Sequence, residues 1–288
     1  MNRPADNTLA NQAHYDAVYR RVAIERLVDS LRRWRDVDGS LEQWLQDATS
    51  THMSWHGFYY EGFASRLCGR RVLELGSGDG SNACVMAALG ADVTANDVST
   101  EAMKIITQVA RGARLPNLRA IPGTFDAAPL EAGSFDYVVG KSFLHHLTHE
   151  VEAGYLARIG GLLRREGEAR FVEPATNNKL LDTLRWAVPV PGRPSALRRA
   201  AFRSWKAGDP HPDRDNSSAH YVAVGRRFFE DVRIVPFGSV ERLHRLLPRN
   251  RLQRGFRQWA NRFEERLGMG FRQAMARTQT IILRRPRV

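Results

Sequence analysis

Residues 71–80 read Arg71-Val72-Leu73-Glu74-Leu75-Gly76-Ser77-Gly78-Asp79-Gly80: a short apolar run with an acidic residue near its end, then glycine at three alternate positions. A run of this length that stops at glycines reads as a buried strand ending in a tight turn. Residues 81–89 behind it carry a helical pattern. Glycine is needed where backbone must turn sharply and lie against a ligand with no Cβ in the way. The helix that follows presents unpaired N–H groups and the positive end of its dipole, which suits a ligand carboxylate. The next strand, residues 91–97 (ADVTAND), ends in Asp97, 17 residues beyond Gly80. A carboxylate there can accept hydrogen bonds from both hydroxyls of a ribose. The dinucleotide spacing G-x-G-x-x-G would need glycine at position 81, which is Ser81, so a nicotinamide dehydrogenase is disfavoured.

Outward from this unit the alternation continues. Residues 101–111 are helical, 117–121 form a third strand, 135–140 (FDYVVG) a fourth, 146–164 a helix and 168–173 (EARFVE) a fifth strand. Short apolar strands alternating with helices indicate βαβ units and a parallel sheet. Past Pro174 the pattern weakens. Lys179–Ala187 is helical, 188–215 is rich in Pro, Arg and Asp, and late strands at 231–237 and 278–283 bracket helical stretches at 240–247 and 252–267. Upstream, residues 11–63 read as helical, with Ser40 three residues before Gln43 in capping-box spacing. The expected architecture is α/β: a doubly wound, seven-stranded, mostly parallel sheet with helices on both faces. Residues 1–66 would form an N-terminal helical lid, and 67–288 the sheet domain, with inserts at about 188–228 and 239–275, the second being helical and placed before the last strand.

Four segments taken in order resemble the class I, Rossmann-like S-adenosylmethionine-dependent methyltransferases: ELGSGDG (74–80), VTANDVS (93–99), GTFDAAPLEAGSFDYVVGKSFLHHL (123–147) and GGLLRREGEARFVEP (160–174). The resemblance covers about residues 70–174 and points to the small-molecule branch of that family. It implies S-adenosyl-L-methionine as cofactor. Gly76, Ser77, Gly78 and Gly80 would face it, with Glu74 bracing the loop and Asp97, beside Val98, binding the ribose. Phe125 would flank the adenine through backbone and Asp126 through its side chain, in a loop that carries Thr124 where the family often has Asp. Lys141 would lie near the methionine amino group through its backbone, and His14, Tyr15 and Tyr19 resemble an aromatic N-terminal lid.

Methyl transfer from a sulfonium is an in-line displacement, so the protein must align donor and acceptor, exclude water and remove a proton when the acceptor is a hydroxyl. His146 and His145 follow the fourth strand at the carboxyl edge of the sheet, where open α/β sheets bind ligands. Either could serve as general base, His146 ahead of His145; the alternative is helix capping or packing. Glu173 ends the fifth strand on the same edge and could receive an acceptor hydroxyl or amine, or be purely structural. His145 and His149 have the i,i+4 spacing that binds zinc on a helix, but the sequence offers no third ligand. Metal-dependent members of the family place Asp at the end of strand four, where this chain has Gly140 and Lys141, so no metal is expected. Residues 209–213 (DPHPD), with His220, read as a mobile surface loop, alternatively a substrate lid or second base.

Charge narrows the partner. The chain carries a formal net charge of +12, distributed as 20 Lys/Arg against 22 Asp/Glu in residues 1–180 and 23 against 9 in residues 181–288. A basic half suggests an anionic substrate, a membrane surface or nucleic acid, or an arginine-rich solvated face. Leu252, Phe256, Trp259, Phe263 and Leu267 fall on one helical stripe, expected to pack as a cap over the acceptor pocket, with peripheral membrane contact as the rival. A nucleic-acid substrate is disfavoured. Amino-methylating DNA enzymes of the family carry D/N/S-P-P-aromatic after strand four, where Gly140-Lys141-Ser142-Phe143 stands, and neither Cys68 nor Cys84 lies where an RNA cytosine-5 enzyme needs its nucleophile. Two cysteines without a CxxC pair, a polar N-terminus and no apolar run near ~20 residues fit a cytoplasmic protein without a signal peptide or membrane span. The expected activity is methyl transfer (the EC 2.1.1 class) to a hydroxyl oxygen of a small, anionic or amphipathic natural product, sugar or lipid-like metabolite. N- or C-methylation of a small molecule or quinone, RNA methylation and a non-catalytic binding module are the alternatives, the last opposed by the intact glycines and Asp97.

Overall fold

The computed structural model describes residues 4–20, 22–188, 193–209 and 211–287. Pro210 and residues 189–192 of the first insert lie outside the described residues. The strands are β1 (Arg71–Leu75), β2 (Asp92–Asp97), β3 (Leu118–Pro122), β4 (Phe135–Lys141), β5 (Leu163–Pro174), β6 (Phe229–Phe237) and β7 (Thr278–Pro286). They form one seven-stranded sheet in the order β3-β2-β1-β4-β5-β7-β6. Strands β1 to β5 pair in parallel, and β7 runs antiparallel to both β5 and β6. Val72, Leu73, Leu75, Val93, Val138 and Val139 are all fully buried, as a central parallel strand covered on both faces requires.

Helices α1 (Pro4–Tyr19), α2 (Ile24–Asp36), α3 (Ser40–Thr51) and α4 (Met53–Phe58) precede the sheet. Helices α5 (Ser81–Ala88), α6 (Thr100–Gly112) and α7 (His149–Leu162) are its crossovers. Chain order reverses between β1 and β4: β1 leads through α5 to β2 on one side, while β4 lies on the other. The two connections leave in opposite directions and open a cleft above the strand ends at Leu75 and Lys141. Leu31, Leu41, Phe58 and Phe63 share a buried cluster with Val85, Ile106 and Val109, so the N-terminal helices pack against one face of the sheet layer. Asp16 pins α1 to the start of α6: the Ser99 hydroxyl donates to its Oδ1 at 2.6 Å and the Glu101 N–H at 3.2 Å.

Several local expectations need correction. The third helix does start at Ser40, but Gly39 in a left-handed conformation precedes it with no side-chain cap, and the Ser40 hydroxyl donates to Arg33 O instead of forming a capping box. Strand β5 begins at Leu163 and not 168, since α7 ends two residues earlier than its apolar pattern suggests. The stretch 188–215 contains a helix, α9 (Arg199–Ala207), between α8 (Lys179–Ala187) and α10 (Ser218–Gly225).

The largest departure is α11 (Arg251–Glu264), whose most buried contacts are polar. Its inward positions are polar. Glu264 accepts from Gly238 N–H and Ser239 N–H at 3.0 Å each, Asn261 donates to Ser50 O at 3.0 Å, and Arg257 donates to Glu241 at 2.7 Å. The stripe expected to pack over the acceptor pocket is half-buried at Phe256, Phe263 and Leu267 and exposed at Leu252 (69%) and Trp259 (47%). Satisfying three backbone groups and a buried carboxylate outweighs burying the aromatic stripe. Helix α12 (Met269–Met275) follows before β7. Among the described residues no helix is long and apolar enough to cross a membrane.

Candidate active site

The turn after β1 runs through Gly76, Gly78 and Gly80 at φ of +63°, +56° and +75°. A Cβ on Gly78 would stand 2.7 Å from Tyr19 Oη, and one on Gly76 2.5 Å from Phe143 Cδ2, so the turn tolerates no side chain on either side. Asp97 holds this turn: Gly78 N–H donates to its Oδ2 at 2.9 Å and Ser99 N–H to its Oδ1 at 2.8 Å. The carboxylate is buried, which raises its pKa above the usual carboxylate value. Each oxygen keeps a lone pair for a further donor. Glu74, also buried, accepts from Asn82 Nδ2 at 2.7 Å, which ties β1 to the first turn of α5. Burial pushes the Glu74 carboxyl up to about 7.

The turn after β4 is organised by Glu173. Ser142 adopts φ +59°, unusual for a residue with a Cβ, and the chain doubles back so that three successive amides converge. Phe143 N–H and Leu144 N–H donate to Glu173 Oε1 at 2.8 and 2.7 Å, and His145 N–H to Oε2 at 3.3 Å. His145 Nδ1 stands 2.7 Å from the same Oε2. Four donors occupy the lone pairs of a carboxylate that is 0% exposed. Glu173 therefore has no capacity left to receive an acceptor hydroxyl or amine; its place is that of the anchor of this turn.

Between the two turns lies a cavity of about 240 Å³. Of the residues singled out in the sequence, Tyr15, Tyr19, Gly76, Asp97, Val98, Phe125, Lys141 and His146 line it. Glu74, Ser77, Gly78 and Gly80 lie behind or beside that wall; His145 and Glu173 support His146 from outside it. Asp126 is exposed and is not part of the wall itself; its side chain hydrogen-bonds Tyr155, which is. The Lys141 ammonium sits 4.0 Å from the Trp55 ring, under the N-terminal helices, and burial lowers its pKa. Asn11, Asn96, Phe143 and Tyr155 also form the wall. Phe143 stacks on Tyr155 with centroids 6.1 Å apart, and Tyr155 meets Phe125 edge-on at 4.9 Å. No spacing in the sequence marks Tyr155 or Asn11, since each reaches the cavity from a separate helix.

Histidines form one end of the site. His146 Nε2 is 3.5 Å from Tyr15 Oη, and burial together with neighbouring rings pushes its pKa down to about 2. Burial raises the Tyr15 hydroxyl to about 12. The ring of His211 lies 4.3 Å from that of His146 and stacks 5.2 Å from that of His145. His211, expected on a mobile surface loop, therefore packs against the turn after β4. Arg214, three residues after His211, donates to Leu144 O and Leu147 O at 2.8 and 2.7 Å and to the buried Glu152 at 2.8 Å. His220 completes that buried cluster, 2.7 Å from Glu152, and is not positioned as a second base. His145 sits in a short 3-10 turn, Leu144–His146, whereas His149 begins α7 and stacks on His220, so the two do not share a helical face.

The glycine turn, the ribose-height acid and the aromatic wall fit an adenosyl nucleoside with an amino-acid tail. Comparison with known proteins agrees. A family model described as a methyltransferase domain matches residues 72–167. The chain is 30% identical over 128 residues to a ubiquinone biosynthesis O-methyltransferase of Albidiferax ferrireducens, covering 43% of this chain and 47% of that protein. It is 30% identical over 210 residues to a tRNA U34 carboxymethyltransferase of Methylococcus capsulatus, covering 67% of this chain and 62% of the other. The chain thus spans about half the length of the first curated relatives it matches. In fold it is similar to a phosphoethanolamine N-methyltransferase of Haemonchus contortus bound to S-adenosylhomocysteine, at TM-score 0.53 and 14% identity over 89% of this chain and 60% of that one. Its sheet order, its glycine turn facing Asp97 and these relatives place the chain in the class I, Rossmann-like S-adenosylmethionine-dependent methyltransferases.

Proposed function

We propose that the chain methylates an oxygen of a small acceptor held in the cavity between the glycine turn and the histidine end. The observation that carries this reading is that one cavity is lined both by Gly76, Asp97 and Phe125 and by Tyr15, Tyr155 and His146. S-adenosylmethionine supplies an activated methyl group when bound. Asp97, fixed by two amides, offers its remaining lone pairs to the ribose hydroxyls. Helix α1, clamped through Asp16, supplies Asn11, Tyr15 and Tyr19 to the wall of the site. An acceptor hydroxyl standing at His146 can donate a hydrogen bond to the neutral ring, which turns its oxygen toward the methyl group; burial keeps that ring unprotonated, so its part is to position the hydroxyl. The O-methyltransferase names of several relatives support oxygen as the target atom.

The exposed Leu252 and Trp259 of α11 favour an amphipathic acceptor drawn from a lipid surface. Trp259 and Phe263 stack at 5.0 Å beside exposed Arg254, Arg262 and Arg266, the composition of a helix that lies on an anionic bilayer. Calorimetry with S-adenosylhomocysteine tests the site. Asp97→Ala is expected to weaken binding by at least about 100-fold, as loss of charge-assisted hydrogen bonds implies; undiminished binding refutes the assignment. Salt-sensitive tRNA binding at low ionic strength would replace the small-molecule reading with an RNA one.

A further inference from the structure

We propose that His145, His146 and His211 form a binding site for a divalent transition-metal ion of the zinc class at the acceptor end of the cavity. The rings come from the β4 turn and from a segment more than sixty residues later, and one ligand atom from each lies within 4.8 Å of the others. Two of the three are held from behind by carboxylates. His145 Nδ1 is 2.7 Å from Glu173, and His211 Nδ1 is hydrogen-bonded to Asp209. A carboxylate on one ring nitrogen fixes the tautomer and leaves Nε2 as the donor, the outer-shell arrangement of metal-binding histidines. Glu173 is 0% exposed and the Asp209 side chain 9%, so both partners are built into the fold.

The chemistry of the donors selects the ion. Three neutral imidazoles with no carboxylate facing inward suit zinc, cobalt or nickel and not magnesium or calcium. A tetrahedral ion at about 2.1 Å needs its nitrogens about 3.4 Å apart, so the rings close by less than about 1 Å each. Three protein ligands leave an open position, as in catalytic and not structural sites. His146 is the ligand that lines the cavity, so that position opens toward the acceptor. An acceptor hydroxyl there would release its proton to solvent more readily and then take the methyl, giving a methyl ether and S-adenosylhomocysteine. That last role rests on the proposed O-methylation; the ion site itself stands on the three rings.

The test uses the full chain stripped with a chelator. Zinc is titrated calorimetrically and cobalt(II) by its visible d–d absorption. A single ion per chain with tetrahedral cobalt absorption is expected. His211→Ala should abolish it, Asp209→Asn should weaken affinity by about 10–100-fold, and His149→Ala should leave it unchanged. S-adenosylhomocysteine binding, measured on each variant, reports an intact fold and an intact donor half separately from the metal. Absence of cobalt absorption in the unmodified chain overturns the site, as does undiminished zinc affinity in His211→Ala or in Asp209→Asn. Metal binding without any methyl transfer to a hydroxyl would retain the site and remove the O-methylation reading.

Discussion

Replacing Glu173 by glutamine tests whether the β4 turn is held as described. The amide keeps the shape of the carboxylate. Its oxygen can still accept from Phe143 N–H and Leu144 N–H, the 2.8 and 2.7 Å bonds to Oε1. Its NH₂ then replaces Oε2 and faces two donors, the His145 amide at 3.3 Å and His145 Nδ1 at 2.7 Å. The imidazole can switch tautomer and accept, but the amide N–H cannot. Two bonds to a charged acceptor become at most one neutral bond, with one buried donor left facing another. Hydrogen bonds to charged groups contribute about 1.5–3 kcal/mol each, so a net loss of about 2–3 kcal/mol is expected. At this chain length that corresponds to a melting temperature lower by roughly 4–12 °C. Urea and thermal unfolding followed by circular dichroism measure it, and S-adenosylhomocysteine calorimetry at low temperature reports whether the donor half survives. A Glu173→Gln protein that melts within about 1 °C of the unmodified chain would refute the anchoring role, because a fully buried carboxylate with four donors cannot be exchanged at no cost.

Gly80→Ala should destabilise by at least about 2 kcal/mol, since φ of +75° is combined with a collision against Ile106; Gly133→Ala, also at positive φ but with open space around it, should cost about 1–2 kcal/mol in the same urea titration. Glu74 gives a pH signature. Its folded pKa is raised to about 7, so the folded state binds the proton more tightly than the unfolded chain, and its contribution to stability is present below the unfolded value near 4.5 and lost as pH rises toward 7. Glu74→Gln should therefore flatten the melting temperature against pH across that window; an unchanged slope would refute it. Trp259→Glu should leave stability within about 0.5 kcal/mol, as for an exposed site, yet reduce co-sedimentation with anionic phosphatidylglycerol vesicles. Equal vesicle binding would remove the lipid-surface reading of α11.

The sequence alone specified the parallel half of the fold and the glycine turn that faces Asp97. Both are written in local patterns: an apolar strand stopped by Gly76, Gly78 and Gly80, and a second strand ending in Asp97, leave few other foldings for residues 71–97. The late strands β6 and β7 were legible for the same reason, because alternation within a strand needs no knowledge of its neighbours. What lay outside the sequence was whatever depends on two distant segments meeting. His211 joins His145 and His146 only because Arg214 ties its segment to the β4 turn through Leu144 O, Leu147 O and Glu152. Glu173 became an anchor and not an acceptor ligand because the left-handed Ser142 aims three amides at it. Helix α11 left Leu252 and Trp259 of its stripe exposed because buried backbone donors at Gly238 and Ser239 required Glu264 on the inner face. A periodic pattern tells which residues share a face, but which face is buried is decided by the groups waiting opposite it, and those are assembled only in the tertiary structure.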